Sequence, residues 1–173
     1  MKIDLFEYFV KELITWFCEY YGIRVDEFNN HPKNDLSKLK VIKLHFFACS
    51  TDHRALDIFN RFYAMPFGHV ESDVYDNIDN LKHFIISDDN TIQTSSTQDI
   101  LGDPMRNEII INMVRNLKER NNDLIAAKAF DLVDISHRWF SWEYTFSEAR
   151  KLESYSKEIS PSLIKQELKY YTY

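Results

Sequence analysis

The stretch Leu36-Ser37-Lys38-Leu39-Lys40-Val41-Ile42-Lys43-Leu44-His45-Phe46-Phe47-Ala48-Cys49 decides the fold. Leu36, Leu39, Ile42, Phe46 and Cys49 recur at helical spacing. Val41, Leu44 and Phe47 form a second apolar stripe on the same segment. A helix that is apolar on two sides needs neighbours on both, so this one is expected to run through the middle of the core. Asp35 stands where an N-cap would open it. Leu39, Ile42, Phe46 and Phe47 are expected to be nearly inaccessible, between the first helix and one beginning near Val70.

Upstream, Phe6, Phe9, Leu13, Phe17 and Tyr20 alternate with Asp4, Glu7, Lys11 and Glu12 as an amphipathic first helix, and Gly22 is its natural stop. A polar connector through Asn29-Asn30-His31-Pro32-Lys33-Asn34 leads to the central segment. Downstream, residues 54–61 read as a short amphipathic turn through Ala55, Ile58 and Phe59. Residues 62–70 are apolar but carry Pro66 and Gly68, and read as an extended buried loop. Val70, Val74, Ile78 and Leu81 restart the helical period. Residues 84–86 and 91–94, separated by Ser87-Asp88-Asp89-Asn90, read as a small hairpin, with a Ser/Thr-rich surface loop through Thr97.

Asp103-Pro104 pairs an N-cap with proline at the first helical position. The helix it opens carries Met105, Ile109, Met113 and Leu117 on one face and closes at Asn121-Asn122. Another is expected from about Asp123 to His137. Trp139, Phe140, Trp142, Tyr144 and Phe146 form an aromatic patch, and Ser160-Pro161 starts a C-terminal helix with Leu163, Ile164, Glu167, Leu168 and Tyr171. The expectation is a mainly α fold, one compact helical domain over residues 1–173 around a central buried helix, with a small β-hairpin.

Composition narrows the chemistry. The 173 residues include only 3 glycines, where average usage of about 7% would give roughly twelve. Gly22, Gly68 and Gly102 are isolated, so no phosphate-cradling glycine loop and no nucleophile elbow can be written. With 21 basic against 27 acidic residues the net charge is -6, which disfavours nucleic acid and suits a basic protein partner. No stretch of eighteen apolar residues occurs, and Met1-Lys2-Ile3-Asp4 lacks a signal peptide's basic start and unbroken apolar run. A soluble cytoplasmic protein is expected, with no membrane partner.

His31, His45, His53, His69, His83 and His137 contain no H-E-x-x-H, and no Cys-x-x-Cys accompanies them. His45 and His53, eight apart, would lie about 80° out of register on a helix. No metal, no cofactor and no catalytic residue is therefore expected. Cys18 and Cys49, the only cysteines, read as buried free thiols. His45 and Cys49, at i and i+4, are the one close imidazole–thiol pair, and Phe46 and Phe47 beside them argue for burial rather than nucleophilic chemistry. Tyr20, Tyr21, Tyr170, Tyr171 and Tyr173 lack interleaved basic residues, which favours core edges or a protein-binding surface over a stacking platform for bases.

Three elements in order carry a resemblance. The first is Lys38-Leu39 through Phe46-Phe47-Ala48. The second is Phe62-Tyr63-Ala64-Met65-Pro66-Phe67-Gly68-His69-Val70 with Tyr75 after it. The third is Ser136-His137-Arg138-Trp139-Phe140-Ser141-Trp142. Together they span roughly residues 36–142 and resemble the Panacea (SocA-like) antitoxin domain family of bacterial and phage toxin–antitoxin operons. The motif positions are Leu39, Phe46, Phe47, Tyr63, Ala64, Gly68, His69, Val70, Tyr75, His137 and Trp142. Where the family usually has Gly-Pro-Val, this chain has Gly68-His69-Val70. Proline would fix φ and pre-form the turn, so His69 loses that rigidity.

The resemblance implies a non-catalytic protein that neutralises a toxin, or a comparable effector, by direct binding. An adaptor or inhibitor of a host protein in a phage or mobile-element setting is the alternative, and an enzyme built around His45, Cys49, His69 and His137 is a third. Read as residues alone, Phe46, Phe47, Phe62, Tyr63, Met65, Phe67, Val70 and Tyr75 are core, and His137 bonds to the buried motif. Trp139, Trp142, Tyr144, Tyr170 and Tyr171 are the candidates for partner contact, and the same Trp patch could instead seal the core against the Gly68 loop.

Overall fold

The computed structural model of the chain describes residues 1–94, 100 and 102–172. The Ser/Thr-rich loop expected through Thr97 falls largely outside these residues, as does Tyr173. The chain begins with α1 (Lys2–Tyr21), which ends at Gly22 in the left-handed region (φ 64°), its N–H returning to Cys18 and Glu19. A 3-10 turn, Val25–Asn30, follows and was not foreseen.

The central element α2 (Lys38–Ser50) is capped by Ser37, whose Oγ accepts from Lys40 N, and not by Asp35. Asp35 instead receives the Lys40 ammonium at 2.7 Å. From Lys40 onward every residue of α2 is buried, polar ones included, while Leu39, expected inside, is half-buried. The helix packs along α5 (Pro104–Arg120) and α6 (Ala129–His137), and α1 reaches it through Phe6 and Phe9 on His45. α1 itself lies along α5.

After α3 (His53–Ile58), the apolar stretch expected as a buried loop is a β-hairpin: β1 (Phe62–Met65) pairs antiparallel with β2 (Gly68–Glu71), Met65 opposite Gly68. Pro66 and Phe67 form the two-residue turn. All of β2 is buried, so the polar–apolar alternation that marks a half-exposed strand is missing from the sequence. Val70 therefore belongs to a strand, and the following helix, α4 (Ser72–Asn77), is one short stretch continued by a 3-10 turn to Asn80. Phe67 and Tyr75 lie about half exposed and are not core, and Tyr63 and Met65, also expected inside, are half-buried on the alternate face of β1.

The expected small hairpin is present as β3 (Phe84–Ile86) and β4 (Thr91–Gln93). Asp103 caps α5 with Pro104 at its start, as the dipeptide predicts. Its inward stripe is Ile110, Met113, Val114 and Leu117; Met105 and Ile109 lie off it, and Met105 is largely exposed. The single helix expected from Asp123 is a 3-10 turn, Asn122–Ala126, followed by α6. Next come α7 (Phe140–Lys151), β5 (Lys157–Glu158) and α8 (Pro161–Gln166). β5 joins the free edge of β1, so the hairpin becomes a three-stranded sheet of order β2-β1-β5. α8 stops at Gln166, short of Glu167, Leu168 and Tyr171. Among the described residues no helix is long and apolar enough to cross a membrane.

Candidate functional site

Of the motif residues, Phe46, His137 and Trp142 gather on the β1–β2 hairpin that carries Tyr63, Ala64, Gly68, His69 and Val70; α2 approaches it from one side and the α6–α7 corner from the other, while Phe47 packs instead on Trp139 and Tyr171. Lys43, fully buried on α2, donates its ammonium to the carbonyl of His69 at 2.7 Å. The His69 ring stacks on Phe46 at 3.6 Å and 6°. Its Nδ1 lies 2.8 Å from Ser136 Oγ and its Nε2 2.7 Å from Ser141 Oγ, while its backbone N–H also donates to Ser136. Two serine hydroxyls thus satisfy both nitrogens of the buried imidazole.

The turn is clamped from outside. His137 Nε2–H donates to the Pro66 carbonyl at 3.1 Å, and Trp142 Nε1–H donates to the Met65 carbonyl at 2.8 Å. Their rings stack on each other at 3.8 Å. Gly68 has φ 98°, and a Cβ there would stand 2.3 Å from Ser136 Oγ and 3.0 Å from Lys43 Nζ. Gly68→Ala is expected to cost about 2–4 kcal/mol, combining positive-φ strain with overpacking. Urea denaturation checks this, and an unchanged midpoint would mean that the hairpin is not clamped as described.

Burial sets the electrostatics. Desolvation pulls Lys43 down to about 7, with no acid partner to oppose it. It also holds His69 well below the usual imidazole range, aided by the positive Lys43 and His137. His45 is ringed by the edges of Phe6, Phe9 and Phe59 and is pulled down to about 3, mostly by burial. Its Nε2 lies 3.5 Å from Cys49 Sγ, and burial pushes that thiol well up. Cys18 is likewise buried and free, its thiol raised to about 11, chiefly by desolvation.

The four residues of the enzyme alternative do not converge. His45 faces Phe6 and Phe9 of α1 and Phe59 just after α3, and Cys49 lies against His45 and Met113, whereas His69 faces Ser136 and Ser141, and His137 lies on Trp142. Among the described residues no three His, Cys, Asp or Glu side chains gather as metal ligands.

The candidate contact residues divide. Trp139 is 0% exposed, packed edge-on against Phe46 and His69, with Nε1–H donating to the Tyr170 carbonyl. Tyr171 is buried too, with its hydroxyl 2.9 Å from Ser50 Oγ. Both belong to the core in this structure and are not available to a partner. Trp142 is half-buried in its clamp. Tyr144 remains exposed, and Tyr170 is half-buried beneath the Arg138 guanidinium, 4.6 Å from its ring.

These residues flank an unusual helix. α7 buries only Ser141, Thr145 and Ala149, while Phe140 (55% exposed) and Tyr144 (52%) stack together on its outer flank at 5.5 Å. Beside them runs a groove of about 410 Å³ whose lining includes Arg138, Phe140, Glu143, Leu163, Glu167, Leu168 and Tyr170. Leu168 is 78% exposed. A second exposed aromatic contact, Phe67 against Phe130 at 5.8 Å, marks the hairpin tip.

Sequence reasoning did not single out Lys43, Ser141, Glu167 or the Phe67–Phe130 pair. A signal for Lys43 existed: two apolar stripes on one helix leave little polar arc for Lys40 and Lys43. Comparison with protein-family models, curated proteins and solved structures finds no match to this chain.

Proposed function

We propose that this chain is a Panacea-like antitoxin, a cytoplasmic protein that neutralises a toxin or comparable effector by binding it and performs no catalysis of its own. The observation that carries the reading is the outward aromatic face of α7. A helix that fully buries only Ser141, Thr145 and Ala149, packs Trp142 and Phe146 partly against the core and still presents Phe140 and Tyr144 to solvent exposes more aromatic surface than its core-facing side accounts for, and such faces mark contact surfaces. α7 is tied to the hairpin by Trp142 and to the C-terminal segment by the Ser141–Glu167 bond, and a helix held in place lowers the ordering cost of association. The buried state of His69, Ser136, Ser141 and Cys49 agrees with a scaffold role for the motif.

The test is co-expression with a neighbouring toxic gene, comparing the parent with Phe140→Ala, Tyr144→Ala and Tyr170→Ala after confirming that each variant folds. The parent is expected to protect. Loss of a hot-spot anchor, worth about 2 kcal/mol or more, should weaken binding roughly thirtyfold and abolish protection in at least one variant. Full protection by all three would remove this face from the interface. A parent that binds no operon neighbour would end the antitoxin reading.

A further inference from the structure

The groove between α7, α8 and the segment after α8 pairs apolar walls with two carboxylates, Glu143 and Glu167, neither of which forms a salt bridge among the described residues. Glu143 forms no ion pair among the described residues, although it projects from the exposed flank between Phe140 and Tyr144. Glu167 accepts the Ser141 N–H at 2.7 Å through Oε2, while its Oε1 is buried with no hydrogen-bond partner among the described residues. Two cations stand at the groove, and both have their donors committed elsewhere: Arg138, which lines it, donates to the Thr172 carbonyl at 2.8 Å and lies over Tyr170, while Lys169, whose charge favours the ionised Glu167, donates to the Ile164 carbonyl at 2.7 Å.

We infer that this groove receives an arginine side chain of the partner protein, flanked by apolar residues that rest on Phe140, Leu163 and Leu168; the inference deepens the binding reading above and rests on it. A guanidinium is planar, offers a fork of N–H donors to carboxylates and stacks on aromatic rings, so one side chain meets both demands of the groove. Buried arginines of this kind are frequent interface hot spots. A second copy of this chain is a poor occupant, because each copy carries a net charge of -6 and brings the same free carboxylates. Nucleic acid is disfavoured for the same reason.

The probe is the peptide acetyl-Leu-Arg-Leu-amide, titrated into the whole protein and followed by backbone amide NMR. Its control is the same peptide with citrulline, the neutral isostere, in place of arginine. The arginine peptide is expected to shift the amides of Ser141, Glu143 and Leu168 saturably. The citrulline peptide should bind at least about tenfold more weakly, a difference of about 1.4 kcal/mol. Glu143→Gln and Glu167→Gln, each checked for unchanged melting, should each erode that preference; the glutamine at 167 keeps an acceptor for the Ser141 N–H. Equal binding of the two peptides, shifts confined to the Phe67–Phe130 end, self-association through the groove, or no shift at millimolar peptide would each overturn the inference. Because no toxin enters this titration, its failure is separable from failure of the co-expression test.

Discussion

Phe46→Ala is expected to lower the unfolding free energy by about 3–5 kcal/mol. Phe46 is completely buried, stacks on His69, and meets the edges of Phe62 at 5.4 Å and Trp139 at 4.9 Å. Truncation removes the apolar contact and opens a cavity against an imidazole whose hydrogen bonds run to two different helices. In a chain of this size the melting temperature should fall by about 6–20 °C. Calorimetry decides the matter, with Phe130→Ala, an exposed ring, as the control expected to stay within about 0.5 kcal/mol of the parent. A Phe46→Ala protein that melts with the parent would displace α2 from the centre of the core.

Lys43 gives the second large effect, and it depends on pH. In the folded chain its ammonium is held down to about 7, against an ordinary value of 10.5. Between those values the unfolded chain carries the extra proton, so stability rises with pH across the window and is flat below it. The slope approaches about 1.4 kcal/mol per pH unit, and the full window is worth roughly 5 kcal/mol. Lys43→Met keeps the length and removes the titration. Urea unfolding of both proteins from pH 7 to 9.5 should show the parent gaining on the variant with rising pH. Parallel pH profiles would mean that Lys43 is charged in the fold. On the acid side, His45 at about 3 and the depressed His69 work in the same direction: stability is lost as pH falls below about 6.5, where the unfolded imidazoles take up protons first.

Much of the helical framework was legible because its signals are local. The 3.6-residue period of Phe6 to Tyr20, the glycine stop at Gly22, the Asp103-Pro104 start and the turn Ser87–Asn90 each act within a few residues, and each appears where the sequence puts it. The hairpin at the motif was misread because β2 is buried on both faces and so lost its period-two alternation. β5 was invisible: two exposed residues give no apolar pattern, and their partners on β1 lie over ninety positions earlier.

Of the cluster around the hairpin the sequence pointed to some members, though not to Lys43 or Ser141, and to little of the wiring. The motif residues Phe46, Gly68, His69, His137 and Trp142 meet around one hairpin. Nothing local says that His69 bonds to Ser136 and Ser141, some seventy residues away, or that Trp139 turns inward while Tyr144 turns out. By itself the sequence determined the mainly helical class, the central place of α2 and the absence of glycine phosphate loops, since periodicity, capping and composition need no distant partner. Only the tertiary structure decided which flank of α7 faces solvent, that Lys43 is enclosed, and that Glu143 and Glu167 share one groove. Burial belongs to the closed chain, set by which distant segments cover a residue, and no local pattern encodes that.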